Sequence, residues 1–524
     1  MLTRLPVSRF ALSSSARRLY SARAGPSKAY LQATHAPASP PSARTAPYLS
    51  LSSTYLLPVY ARPDFVLERG KGSWVWDVDG KKYLDFTAGI AVNALGHADE
   101  GVSKLWMPFR VALAYSSLGR SQTYGGNPET ACLGIGVMQS FTSFHVITEQ
   151  SNKILHTSNV YHNEWAGKLA ELLVTLTQKE GGLGFAPNSS SSSNVQNAEN
   201  VPKVFFANSG TEANEGALKV ARKVAKERWA AAAPGRKDGD YYSECPKTRI
   251  ACFESGFHGR SMGALSVTTN PKYQAPFAPL IPGVDVGKVN QLEGLNSLVT
   301  EDTCAVIVEP VQGEGGIHPV NVEWLRALRK RCDEVGAVLI YDEIQCGLYR
   351  SGTLWTHSEY PVDCHPDIVT MAKPLANGYP IGAVLLRPSV AATMTAGKCR
   401  THGTTFGGSP MACAVGYHVL SRLSQPEMKE QIAETSAYLM ERLSHLPKWF
   451  PEILEENIRG RGFILGLGFK DATAPGKVAE LARQRGVFVL TAGKDAIRLV
   501  PSLNVTKAEV DYAIDVLESS LSML

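Results

Sequence analysis

The chain has no C-x-x-C pair, no apolar run of 18 residues or more, and no acidic side chain before Asp64. Each absence excludes something. Without a long apolar run, no segment reads as a membrane span. The nine cysteines (Cys132, Cys245, Cys252, Cys304, Cys332, Cys346, Cys364, Cys399 and Cys413) are odd in number and unpaired in spacing. That points to free thiols in a reducing compartment and supplies no ligand set for a metal. The formal net charge is only +5, part of it in the N-terminus, so bulk charge makes no case for nucleic-acid binding. What is present, 44% hydrophobic and 19% charged residues over 524 positions, is an ordinary globular composition. The length suffices for a large core and two or three structural units.

The missing acids mark the N-terminus as a different material. Residues 1–63 carry Arg4, Arg9, Arg17, Arg18, Arg23, Lys28, Arg44 and Arg62 among serines and alanines. An Arg-rich, Ser-rich, acid-poor start is expected to be a mitochondrial or plastid transit peptide; a basic tail without an address is the other reading. RRLYSA resembles a processing site, with cleavage after Tyr20. Residues 24–46, rich in Pro, Ala and Ser, read as a linker.

Order is expected from about residue 50. FVLERGKGSWVWDVDGKKYLDF alternates apolar and polar residues and carries turn pairs at Lys71–Gly72 and Asp79–Gly80, which predicts a small antiparallel sheet. Residues 105–145 do not match their surroundings: the only charges are Arg110, Arg120 and Glu129, and no helical or strand period persists. With the block removed, Val102, Ile147, Ile154 and Leu155 fall on one helical face. The block therefore reads as an insertion into a helix, of the kind a translated intron in frame would leave; a surface excursion is the other reading. Polar, turn-rich stretches at 184–200 and 231–247 read as loops.

Between the loops, short apolar runs end at polar residues: KVFFANS, AVIVEP, AVLIYDE and DIVTMAK. Such runs alternating with helical segments predict buried parallel strands of an α/β sheet. Ligands of such sheets bind beyond the carboxyl ends of the strands, which here means at Ser209, Glu309, Asp342 and Lys373.

Three of these strand ends carry chemistry. In NSGTEANEGALKVAR a strand stops, Gly210 turns the chain and a helix starts, with Ser209 and Glu212 spaced as a capping box and Ala213, Ala217, Val220, Ala221 and Val224 as its apolar stripe. The free amides of Gly210 and Thr211 then sit at a positive helix end, where a phosphate can bind; a plain capped helix fits the pattern equally. In AVLIYDEIQCG a buried strand delivers Asp342, whose carboxylate needs a cationic partner such as a protonated pyridine nitrogen, or else caps a turn. In DIVTMAKPLANGYPIGAVLL, Lys373 follows an apolar strand 31 residues later. A lone lysine after a strand is otherwise a solvated strand end; a desolvated one is a nucleophile at neutral pH and can form an imine with an aldehyde.

Together NSGTEANEGALKVAR, FHGRSMGALSVT, EPVQGEGGI, YDEIQCG, MAKPLANGYPIGA and HGTTFGGSPMACAVG are similar to the class III pyridoxal-phosphate aminotransferases, in that family's order. The likeness runs from about residue 52 to the C-terminus, apart from the atypical stretches. It implies an α/β fold-type I transferase: a large domain (146–405) with a mainly parallel central sheet, and a smaller α+β domain from both chain ends (47–104 and 406–524). It implies pyridoxal 5'-phosphate as cofactor, with Lys373 as the imine lysine and proton shuttle. Asp342 would hold the pyridine nitrogen, Gln345 the ring hydroxyl, Gly210 and Thr211 the phosphate, and Phe257 the ring face. Thr405 would contact the phosphate of a partner subunit, which implies a homodimer with shared active sites.

For substrates the resemblance implies Arg260 and Thr404 as contacts, Arg498 as the receptor of the α-carboxylate of glutamate, and Glu314 as the acid that neutralises Arg498 when the other substrate is bound. The roles of Glu309 and His258 stay open. LLPVYARPDFVLERGKGSWVWDVDGKKYLDFTAGIAVNALGH and HTSNVYHNE are similar to the members that act on N-acetylornithine and 2-oxoglutarate in arginine biosynthesis. Members acting on ornithine or 4-aminobutyrate are the alternative. A form made inactive by the 105–145 block is the alternative of another class.

Overall fold

In a computed structural model, the structure describes residues 25–36, 40–103, 146–188, 201–233, 235–236, 240–395 and 401–524. The transit-peptide expectation for residues 1–24, and the whole block at 105–145, lie outside the described residues. Among the described residues no helix is long and apolar enough to cross a membrane. Seven described cysteines are free and buried.

The chain first forms α1 (Ala46–Tyr55), then β1 (Leu67–Lys71), β2 (Trp74–Asp77) and β3 (Lys82–Asp85). The last three pair antiparallel in order, as the alternation predicts. Their turns close on Gly72 and Gly80 at φ of 57° and 84°, a region that favours glycine. The body of the chain supplies α2 (Glu164–Glu180), β4 (Lys203–Ala207), α3 (Gly210–Ala231), β5 (Arg249–Phe253), β6 (Val284–Gly287), β7 (Thr303–Val308), α4 (Val322–Val335), β8 (Val338–Asp342), β9 (Ile368–Met371) and β10 (Gly382–Leu386). These seven strands form one sheet in the order β4-β10-β9-β8-β7-β5-β6. Only β10 runs antiparallel to its neighbours. Central strands β7, β8 and β9 are buried at every position, which is why they read as unbroken apolar runs rather than alternating ones.

The stripe expected on α3, from Ala213 to Val224, is wholly buried against this sheet. On the other face, Trp324, Leu325 and Leu328 of α4 pack with Tyr341 and Phe253. Burial of this apolar surface at roughly 25 cal/mol per Å² is the main force holding the strand ends in place.

The C-terminal part contributes α5 (Pro410–Leu423), α6 (Pro426–Leu443), β11 (Arg459–Arg461), β12 (Ile464–Gly468), α7 (Ala474–Arg483), β13 (Val487–Phe488), β14 (Leu490–Ala492), β15 (Ala496–Leu499) and α8 (Lys507–Leu521). A second antiparallel sheet, β11-β12-β15-β14, carries Arg498 opposite Gly466. β13 adds to the N-terminal sheet parallel to β3, so the two chain ends build one unit.

Three details differ from the sequence expectations. The stretch read as a linker is held along its described part: Ser27 N–H donates to Glu518 (2.7 Å), Arg485 donates to the Tyr30 and Leu31 carbonyls, and Ser42 and Thr45 donate to Asp79. Its composition shows that it has no core of its own, not that it lacks a partner. The loop at 231–247 contains a helical turn, Tyr241–Glu244, whose Tyr241 and Tyr242 hydroxyls both donate to Glu227. The helical pieces Glu100–Ser103 and Val146–Ser151 pack on one another, with Val102 buried and Ile147 against the core. Ile154 and Leu155 lie past the end of that second piece and are exposed, so the expected apolar face stops at Ser151.

Candidate active site

The four polar residues expected at strand ends converge. Asp342 closes β8 and is 3% exposed. Its Oδ2 accepts from His258 Nδ1 (2.8 Å) and Asn214 Nδ2 (2.8 Å), and its Oδ1 accepts from the Ile344 amide (3.0 Å). Asn214 also donates to the His258 carbonyl (2.7 Å), and Thr370 donates to Asn214 Oδ1 (2.8 Å). A buried carboxylate needs such donors to stay charged. This settles the contact of His258, which the sequence left open. Asn214 was missed, although an amide inside the alanine stripe of α3 was a signal that something polar faces it.

Lys373 begins the turn after β9. Burial pushes its amine down to about 7; Arg498 and Arg350 push the same way, while Glu309 and Asp342 oppose them. The amine is therefore largely neutral and nucleophilic just above neutral pH. Below pH 7 it fills with protons, and the rate at which apoprotein captures added pyridoxal 5'-phosphate is expected to fall about tenfold per unit. Visible absorbance checks this; a capture rate flat from pH 8 to pH 5.5 would contradict it.

Glu309 lies just past β7. Its Oε1 accepts from the Phe257 amide (2.8 Å) and its Oε2 from the Gly313 amide (3.0 Å) and Gln345 Nε2 (3.4 Å). Burial pushes its carboxyl up to about 7, opposed by His258 and reinforced by Asp342. Gln345 in turn accepts from Arg498 Nη1 through its Oε1 (2.9 Å). A continuous chain of contacts thus runs from Arg498 through Gln345 to Glu309 and the Phe257 backbone. Arg498 is 5% exposed, and its Nε has no partner among the described residues. Burial lowers its proton affinity, opposed by Glu314. A buried guanidinium with spare donors is suited to a carboxylate.

At the start of α3, the Ser209 hydroxyl accepts from the Glu212 amide (3.3 Å). The return arm of the expected capping box is displaced by one residue: Glu212 Oε2 accepts from the Asn208 amide (2.7 Å) and Asn208 Nδ2 (2.8 Å). Two donors from Asn208 outbid the single Ser209 amide. No backbone partner takes the Gly210 and Thr211 amides among the described residues. A Cβ at Gly210 would stand 2.9 Å from the end of the Ile344 side chain, which would have to shift to admit one. The Thr211 hydroxyl is bonded to Ser261 (2.7 Å), a neighbour the sequence reading did not single out. Unpartnered amides at the positive end of a 22-residue helix form an anion cradle. The residues present therefore fit a phosphorylated pyridine aldehyde: an amide cradle, a buried carboxylate with its donors in place, and a desolvated amine.

The remaining expected residues fall in two places. Glu314 does not pair with Arg498: its Oε1 accepts from the Tyr273 hydroxyl (2.7 Å), and the Arg260 guanidinium lies 3.7 Å from the Tyr273 ring centre. Phe257 meets the same ring edge-on at 6.1 Å. The Thr404 hydroxyl accepts from Asn208 (3.0 Å), while Thr405 is exposed and its side chain makes no hydrogen bond among the described residues. Among the described residues, no hydrogen bond joins Thr404 or Thr405 to the Lys373 cluster.

A family model for class III aminotransferases matches residues 58–107 and 142–521, leaving 108–141 outside both stretches. The chain belongs to this family and is an aminotransferase. It is 42% identical over 466 residues to the mitochondrial acetylornithine aminotransferase of Neurospora crassa, covering 89% of this chain and 85% of that one. It is likewise 42% identical over 474 residues to the enzyme of that name from Yarrowia lipolytica, covering 90% and 95%. Among solved structures, the N-acetylornithine aminotransferase of Stenotrophomonas maltophilia superposes with a TM-score of 0.63 at 31% identity, covering 91% of this chain and 98% of that one. The ornithine aminotransferase of Toxoplasma gondii superposes at 0.70 with 25% identity, covering 91% and 95%.

Proposed function

We propose that this chain is an acetylornithine aminotransferase of the mitochondrial matrix, moving the terminal amino group of N-acetylornithine to 2-oxoglutarate with pyridoxal 5'-phosphate. The carrying observation is the meeting of a desolvated Lys373, a donor-bonded Asp342 and a buried Arg498 with spare donors at one end of one sheet. Relatives of the acetylornithine name at 42% identity support the substrate.

When bound, the cofactor supplies an electron sink for the charge left on a substrate carbon that loses its proton. The chain does the rest. The amides of Gly210 and Thr211 hold the phosphate at the end of α3, and Phe257 covers a ring face. Asp342, oriented by His258 and Asn214, would keep the pyridine nitrogen protonated, and Gln345 would hold the ring hydroxyl. Lys373 is the amine that would hold the cofactor and, once a substrate amine has replaced it there, would take the proton from the substrate carbon bearing nitrogen and shuttle it. Arg498 receives the carboxylate of the oxo acid, Glu314 neutralises Arg498 in the other half-reaction, and Arg260 and Thr404 contact substrate.

The working form is a homodimer with shared sites. Val160 and Tyr161 are 77% and 71% exposed, close in sequence to Asn159, which donates to the Thr404 carbonyl. Leu51, Tyr55, Leu57, Val59 and Tyr60 are exposed as well. Exposed apolar side chains, two of them following Asn159, suit contact with a second copy, whose phosphate site Thr405 would complete.

Turnover of N-acetylornithine is expected to exceed that of free ornithine and 4-aminobutyrate, with ping-pong kinetics. Faster turnover of free ornithine would overturn the substrate assignment. Residues 105–145 are an insertion between two helical pieces that pack together. Mature transcripts are expected to include forms lacking this block; sequencing that finds it in every message would reject the intron origin.

A further inference from the structure

We propose that Tyr273 is a specificity-determining residue with two separable parts: its hydroxyl latches Glu314 away from Arg498, leaving Arg498 open to a dicarboxylic oxo acid, and its ring seats Arg260 for the acylated amino acid. This rests on the two-substrate reading above and adds a residue that the reading did not contain.

The geometry carries it. Tyr273 stands in a short helical turn, Pro271–Gln274, capped by the Asn270 side chain. Gln274 Nε2 ties the turn back to the Leu265 and Ser266 carbonyls at 3.0 and 3.3 Å. The ring is thus fixed from below. Above it lies the Arg260 guanidinium at 3.7 Å, and its edge meets Phe257. Its hydroxyl donates to Glu314 Oε1 at 2.7 Å.

The backbone around Glu314 is equally fixed. Glu309 holds the Gly313 amide, the Gly493 amide donates to the Glu314 carbonyl at 2.7 Å, and a Cβ at Gly315 would meet the Ser255 carbonyl at 2.1 Å. Only the side chain of Glu314 is free to swing. Arg498 lies within electrical reach across the pocket, and Arg260 rests on the Tyr273 ring, yet Glu314 takes the neutral phenol. Burial and the Glu314 contact both raise the phenol's proton affinity, so it remains a donor through neutral pH.

The physical consequence is a competition. A carboxylate prefers a guanidinium to a phenol when both are in reach. With the phenol in place, the preference is offset and Arg498 keeps its donors for an incoming dicarboxylate. Without the hydroxyl, Glu314 closes on Arg498 and must be displaced before an oxo acid binds. An amino acid whose side-chain end carries no carboxylate does not meet that barrier.

The test uses the holoenzyme and glutarate, an unreactive dicarboxylate, with binding read by calorimetry and the two half-reactions read separately in single turnover. Y273F is expected to weaken glutarate by roughly ten- to hundredfold, the worth of one hydrogen bond to a charged group, while the KM for N-acetylornithine moves by less than about threefold. Y273L is expected to raise that KM as well, because Arg260 loses its aromatic seat. In an E314Q background, Y273F is expected to leave glutarate affinity unchanged, since no charge remains to compete. Equal weakening of both ligands by Y273F, no weakening of glutarate, or persistence of the effect with E314Q would each overturn the latch. A wild-type enzyme that binds glutarate but does not turn over N-acetylornithine would sink the substrate reading instead and leave the latch measurable.

Discussion

Lys373→Ala is expected to reduce transamination by about 10⁴-fold or more, since both the bond to the aldehyde and the proton transfer depend on this amine. Wild-type protein reduced with borohydride is expected to carry the pyridoxyl mass on the peptide containing Lys373, and the variant to carry none there. The loss is not a folding defect, and stability checks that. The folded amine titrates near 7, well below the ordinary lysine value of 10.5. Below pH 7 both folded and unfolded chains bind the proton, so the folded state bears the full cost of a buried ammonium; the cost fades as pH rises toward 10.5. Removing the amine is therefore expected to raise the Tm of the apoprotein at pH 6–7 and to change it little near pH 10. Undiminished transamination by the variant would remove the assignment altogether.

The second large effect is at Asp342. Asp342→Ala leaves the His258 ring donor buried with no acceptor and takes from Asn214 one of its two, the His258 carbonyl remaining. Leaving a buried donor without its acceptor costs about 1–3 kcal/mol, which lowers stability as well as activity. Asp342→Asn separates the two. It keeps the shape and one acceptor, so Tm is expected to fall by only a few degrees. It loses the charge that would hold the pyridine proton, so kcat is expected to fall about 10²–10³-fold, or about 3–4 kcal/mol of transition-state stabilisation. A fall in Tm as large as that of the alanine variant, with kcat nearly intact, would make Asp342 a structural residue.

The sites of these two effects were legible for a simple reason. Buried parallel strands are unbroken apolar runs, and each such run points at the residue where it stops. Asp342 and Lys373 stand at such stops, as do Ser209 and Glu309. The N-terminal hairpins were legible because Gly72 and Gly80 mark turns that need positive φ. Residues working across the sheet were harder to read. His258 lay in a recognisable motif, but only its 2.8 Å approach to Asp342 gives it an acceptor. Tyr273 lies 41 residues before Glu314 in a four-residue helical turn, with no period or spacing to connect them. The capping acid Glu212 was expected to serve Ser209; Asn208 takes it because it offers a backbone and a side-chain donor together.

By itself, then, the sequence determined the strand-ends, the helix that cradles an anion and the family to which the chain belongs. These depend on local hydrophobic runs, turn residues and motif order, which any short window contains. Only the tertiary structure decided which charges meet. It turned Glu314 toward Tyr273 rather than Arg498, gave Asp342 its two donors, tied Arg498 to Glu309 through Gln345, and docked the stretch after residue 24 onto α8. Such contacts join segments tens to hundreds of residues apart, and their energies depend on distance and burial, which no stretch of sequence carries.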